Sequence, residues 1–168
     1  MQSSLAPVRL AHLVGFMRRV LAVIIALTSA LGAYPAPGPY DETADSGSEI
    51  KAALIAAKGS KTQVLVVFGA NWCSDCKALD TSFKSGTTAP LIEKFFKVVK
   101  VNVGRVDHNV AIAETYGVPL KQGIPAIAVL NSDGKVVFAT RSGELANAKK
   151  IGDKGLGDFF AKLVGQAQ

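Results

Sequence analysis

The sequence predicts an α/β domain, and three observations carry that reading. Short runs rich in β-branched residues alternate with segments whose apolar residues recur at helical spacing, the pattern of a sheet covered on both faces. One run, Gln63-Val64-Leu65-Val66-Val67-Phe68, is unbroken in its apolar part, as in a strand buried on both sides. The last two runs flank Asn131-Ser132-Asp133-Gly134, which reads as a hairpin turn.

Taken in order, the elements are as follows. Ser48 is placed to cap a first helix in which Ile50, Leu54 and Ile55 share a face and which ends near Lys58-Gly59. The buried strand follows, then a turn from Gly69 to Trp72. A second helix starts at Cys73, with Cys76, Leu79 and Phe83 at helical spacing and Gly86 just past its end. Pro90 suits the first turn of a further helix running through Phe95. Val98 to Val103 reads as a strand, and Val110 to Tyr116 as a short helix stopped by Gly117. Ala126 to Leu130 and Lys135 to Phe138 form the hairpin. Gly157 or Asp158 starts a closing helix with Phe159, Phe160, Leu163 and Val164 on its apolar side.

Composition narrows the function. The 168 residues are 49% hydrophobic and 19% charged, which excludes an intrinsically disordered chain. Two cysteines cannot build a disulfide-dense secreted scaffold. The net charge of +6 raises nucleic acid as a partner. However, Arg9, Arg18 and Arg19 stand in the first 33 positions, which hold no acid, and the remaining excess is spread along the chain. A nucleic-acid footprint needs clustered Lys and Arg. Lys149-Lys150 is only a pair, and no nucleic-acid partner is expected.

Residues 1–33 read as a signal peptide or signal anchor. Arg18-Arg19 precede the apolar run Val20–Leu27, and small residues follow to Ala33, with candidate cuts after Ala30 or Gly32. Met17 makes a compact basic start as well as Met1 does. Spanning a bilayer takes about 20 apolar residues, which makes the segment short for a permanent transmembrane helix. Residues 34–48, rich in Pro, Gly, Ser and acids, read as a flexible linker. The folded domain is then 49–168.

The chemistry sits in Trp72-Cys73-Ser74-Asp75-Cys76-Lys77. Two cysteines separated by two residues, where a buried strand meets a helix, are a redox signature of this topology. Residues i and i+3 share a helix face and can meet the Cα separation of a disulfide, about 4.4–6.8 Å. Cys73 lies at the helix N-terminus, where free N–H groups and the dipole favour a thiolate, so it is expected to be the nucleophile. Cys76, one turn inside, is expected to resolve the mixed disulfide.

With these residues in view the chain resembles the thioredoxin superfamily, in particular exported bacterial thioredoxin-like thiol–disulfide oxidoreductases. Three features over residues 50–164 carry the resemblance. They are the strand leading into Trp72-Cys73-Ser74-Asp75-Cys76-Lys77, then Tyr116-Gly117-Val118 followed by Gly123-Ile124-Pro125, and then the hairpin. The resemblance implies a thioredoxin-like fold, with a central mixed sheet and helices on both faces. It also implies a cis Ile124–Pro125 bond beside the cysteines, where Pro125 presents the Ile124 backbone to a substrate strand and denies a metal access. Trp72, Ser74 and Asp75 shape the site, Trp72 as a lid over the sulfur. No cofactor and no metal are expected. Implied partners are protein disulfides and, as electron donor, a membrane thiol reductase. The implied location is the bacterial periplasm and the implied state a monomer.

Departures from the family pattern set further expectations. Val67 stands where many thioredoxins have a buried acid, and Lys100, aligned near that acid's usual lysine partner, reads as a surface residue. Gly69 replaces a frequent aromatic. Asp75 beside Cys73 disfavours the thiolate and competes for the helix dipole, predicting a relatively reducing pair. Asp80 and Glu114 read as exposed helix charges, and His108 as a solvated turn residue. Two other readings of the cysteines stay open: a binding module in which they form a structural disulfide, and a soft-metal (copper) binding module.

Overall fold

The computed structural model describes residues 38–166. The signal segment, its alternative start and cleavage points, and residues 34–37 of the expected linker lie outside the described residues. Five α-helices and four strands are described: α1 (Ser46–Ser60), β1 (Gln63–Gly69), α2 (Ser74–Lys84), α3 (Ala89–Phe95), β2 (Phe96–Asn102), α4 (Val110–Thr115), β3 (Ala126–Leu130), β4 (Val136–Ala139) and α5 (Ala148–Gln166). A 3-10 turn, Leu120–Gln122, precedes β3.

The strands form one mixed sheet in the order β2-β1-β3-β4. β1 runs parallel to β2 and antiparallel to β3, and β3 pairs antiparallel with β4. Side chains of a strand alternate between faces, so β1 feeds two separate cores. Val64, Val66 and Phe68 pack with Ile50 and Ala57 of α1 and Ala113 of α4. Leu65 and Val67 pack with Leu79 of α2, Ile92 of α3 and Phe160 of α5. Helices cover both faces, as expected of the α/β class. Among the described residues no helix is long and apolar enough to cross a membrane.

Three boundaries differ from the sequence reading. Asp45, not Ser48, caps α1: its carboxylate accepts hydrogen bonds from the Gly47 and Ser48 backbone N–H groups at 3.1 and 3.2 Å, and from the Ser48 hydroxyl at 2.6 Å. The second half of the expected linker is also not free. Tyr40 is 2% exposed and Ser46 is buried, so packed structure reaches back at least eight residues before Ser48. The closing helix begins at Ala148 rather than at Gly157 or Asp158, and bends at Gly152 (φ 72°). Gly157 looked like a start signal but serves close packing, since a Cβ there would run into the Thr87 side chain.

Candidate active site

β1 ends at Gly69, and the chain turns so that the Cys73 N–H donates to the Ala70 carbonyl at 3.1 Å. Cys73 then caps α2 with its own sulfur, which accepts the Cys76 backbone N–H at 3.1 Å. The Cys73–Cys76 pair forms a disulfide with a Cα separation of 5.2 Å, inside the range such bonds require. The two sulfurs differ in access. Cys73 keeps 6% of its surface exposed and lines an open groove of about 720 Å³, whereas Cys76 is fully buried.

Opposite them the Ile124–Pro125 bond is cis, as the resemblance implied, and the Ile124 carbonyl oxygen lies 3.6 Å from the Cys73 sulfur. Trp72, Ser74, Asp75 and Ile124 line the groove with Cys73, while Pro125 is buried behind it. Trp72 lies beside the sulfur, 58% exposed, but it also props a neighbouring loop. Its indole N–H donates to the Gly104 carbonyl at 2.8 Å, and the Arg105 guanidinium sits 5.9 Å from its ring centroid. That loop turns Val106 into the groove in a left-handed conformation (φ 67°), which β-branched residues seldom adopt.

Three charged residues depart from the sequence reading. Asp75 does not spend its carboxylate on the tip of α2: Oδ1 accepts the Lys149 backbone N–H at 3.0 Å, at the start of α5. A second helix N-terminus therefore shares its charge. Asp80 is not an exposed helix charge but 8% exposed, and Lys100 is not a free surface lysine. Lys100 Nζ donates to Asp80 Oδ1, and Lys84 Nζ donates to Oδ2 at 2.7 Å. Asp80 is four residues beyond Cys76 on the same helix, and such residues share a face. The role left vacant at Val67 thus has an acid–lysine pair nearby, contributed by α2 and β2. His108 Nδ1 meets Asp107 Oδ1 at 2.7 Å on an exposed turn, and Glu114 is exposed, both as read.

Burial opposes the charge on Asp80, but the hydrogen bonds from Lys100 and Lys84 outweigh it and hold the carboxyl below the usual carboxylate range. Tyr40 moves the other way: burial, with the charge of Asp80 adding to it, pushes its phenol well above the ordinary tyrosine value. A depressed acid stabilises the fold above its unfolded value of about 4, and this is lost as pH falls through the folded value. A raised phenol contributes fully below about pH 10 and loses that contribution as pH rises toward its folded value. Urea stability should therefore fall at both extremes. Tyr40→Phe should flatten the alkaline limb alone, and an unchanged limb in that variant would assign it to another group.

Sequence reasoning missed Tyr40, Asn71, Val106 and Lys121 at or near the site. Val106 gave no signal, because a single residue's left-handed conformation is not written in its type. Among the described residues no three His, Cys, Asp or Glu side chains come together in a group fit to hold a metal.

A disulfide from a helix tip to the residue one turn inside, facing a cis-proline loop on a four-stranded mixed sheet, defines the thioredoxin class of redox protein. Residues 45–132 match the family model described as thioredoxin-like, and the chain belongs to that family. It is 32% identical over 90 residues to the thioredoxin of Buchnera aphidicola subsp. Schizaphis graminum, covering 51% of this chain and 70% of that one. Among solved structures it is similar to a disulphide isomerase from Xylella fastidiosa Temecula1, with 50% identity and a TM-score of 0.74, over 77% of this chain and 99% of the other. The oxidised C-terminal domain of DsbD from Neisseria meningitidis shares the fold at 21% identity and a TM-score of 0.51, over 73% and 97% of the two chains. With the cysteine pair in place, the chain is a thiol–disulfide oxidoreductase.

Proposed function

We propose that this oxidoreductase is exported and reduces disulfides of other proteins, with Cys73 as nucleophile and Cys76 as resolving thiol. The observation that carries the assignment is the difference in access between the two sulfurs, one at the groove and one sealed beneath it. The Cys73 thiolate attacks one sulfur of a client disulfide, forming a mixed disulfide and expelling the other client sulfur as a thiolate that takes up a proton. The Cys76 thiol then loses its proton and attacks the Cys73 sulfur. The second client thiolate leaves, and the pair ends as the disulfide. Two electrons have passed to the client, and a donor dithiol must return them.

During the first step the N–H of Cys76, aimed at the Cys73 sulfur, stabilises its negative charge. The Ile124 backbone beside it offers hydrogen-bonding groups to an extended client segment, and Trp72, Val106 and Leu120 offer apolar contact. Export rests on the basic, apolar and small-residue order of residues 1–33. In an oxidising periplasm a reductant of this kind needs electrons from across the membrane, and a membrane thiol reductase is the proposed donor.

Insulin reduction with dithiothreitol as electron source tests the catalytic reading, and equilibration with glutathione tests its direction. The expected potential lies between about −200 and −270 mV; a value near −120 mV, that of a strong oxidant, would contradict a reductase. Asp75→Asn should raise the potential by about 30 mV or less, because its charge is shared with the start of α5. A fall on substitution would show that the carboxylate does not oppose the thiolate.

Isomerisation is the second reading, favoured by the 50% identity to a protein described as a disulphide isomerase. The likeness runs over 99% of that protein's own length. Recovery of activity from a scrambled-disulfide substrate by the pre-reduced protein, with no further reductant, would favour isomerisation.

A further inference from the structure

The segment before α1 is built into the redox site. Asn71, two residues before Cys73, grips the Tyr40 backbone on both sides of its Cα: Oδ1 accepts the Tyr40 N–H at 3.0 Å, and Nδ2 donates to the Tyr40 carbonyl at 2.8 Å. The same amide nitrogen reaches Glu42 Oε1 at 3.1 Å. Gly38 fits against this clip only because it has no side chain, since a Cβ there would overlap the Asn71 carboxamide. Beyond the clip the Tyr40 ring enters the core. A Cβ on Gly69 would overlap the Tyr40 hydroxyl and the ring carbon that bears it, so the ring fills the space into which any side chain at residue 69 would point.

What surrounds that ring decides its use. Tyr40 belongs to the same buried cluster as Cys73, Cys76, Phe68 and Ala70. The Tyr40 hydroxyl end lies where a Cβ of Gly69 would stand, at the end of the strand that leads to the cysteines. An unsealed space beside Gly69 would admit water to this cluster. Water stabilises a thiolate over a thiol, and burial does the reverse.

We infer that Tyr40 is a positioning residue of the redox site: fastened by Asn71 in the space beside Gly69, its ring shields the inner sulfur from water, and so keeps the Cys76 thiol protonated until the resolving step. The inference rests on Cys76 being the inner thiol of the redox pair and is independent of the direction of electron flow. It also gives Gly69 a reason. The cavity there is filled from the N-terminal side of the chain, not by residue 69 itself.

The test follows thiolate formation in the reduced full-length protein by its ultraviolet absorbance and by the alkylation rate of Cys76 across pH. Insulin turnover by the wild type, measured first, establishes the redox pair itself; failure there strikes the catalytic reading and not Tyr40. Tyr40→Ala should raise the alkylation rate of Cys76 near neutral pH about tenfold, equivalent to about one unit in its titration. Asn71→Ala, which loosens the clip without emptying the core, should move it in the same direction by less, and decides the matter should Tyr40→Ala not fold. Adding Gly69→Phe to Tyr40→Ala refills the space from the other side and should restore the wild-type profile. A merely structural tyrosine would lower the melting temperature and leave the titration in place. An unmoved Cys76 profile in a folded Tyr40→Ala or in Asn71→Ala, or a folded double variant with no restoration, would overturn the inference.

Discussion

Cys73→Ser is expected to abolish disulfide reduction, lowering insulin turnover at least about a thousandfold while the fold persists. The reason is chemical before it is structural. A hydroxyl at neutral pH is almost wholly protonated and is a poor nucleophile toward sulfur, whereas a thiol at a helix tip is partly ionised and attacks readily. Serine can still cap α2, because its oxygen accepts the Cys76 N–H as the sulfur does. Circular dichroism and the melting profile of the reduced proteins should therefore differ little. Residual turnover within tenfold of wild type would mean that Cys76 can open client disulfides by itself, which its complete burial argues against.

Cys76→Ser should act in the opposite sense, leaving the first attack intact and removing the second. Mixed disulfides between Cys73 and client proteins then accumulate, since the hydroxyl at residue 76 cannot displace the client sulfur. Expressed in cells, the variant should carry covalent adducts that disappear on treatment with dithiothreitol, and Cys73→Ser should carry none. Adducts on both single variants in equal amount would contradict the assignment of roles. The asymmetry arises from one turn of helix, which puts the first sulfur at the groove and the second under it.

The sequence carried the redox pair and the sheet because both are written locally. Val64 to Phe68 is apolar without a break, and β1 is paired on both sides. Cys73 and Cys76 stand where a strand gives way to a helix, and a spacing of three residues leaves their separation little freedom. What escaped is what depends on distant neighbours. Tyr40 lies in a stretch whose Pro, Gly and acids resemble a tether, and its burial follows from a partner, Asn71, 31 residues away. Asp80 and Lys100 each look like solvated charges on their own element. They meet only because α2 packs across the face of the sheet near β2, which removes the acid from water. Asp75 shows the same limit, since its acceptor role depends on where α5 begins, and the glycines at 155 and 157 mask that start. Gly69 was legible as an anomaly, a missing aromatic, but the residue that fills its place could not be named without the fold.

The central claim is that two sulfurs of unequal access trade a bond with client proteins. It is tested most directly by mapping alkylation in the reduced native protein at neutral pH, using mass spectrometry after brief exposure to iodoacetamide. The account predicts that Cys73 is modified first and that Cys76 stays largely protected until the protein is unfolded. Equal labelling of the two, or protection of Cys73 with rapid labelling of Cys76, would contradict it.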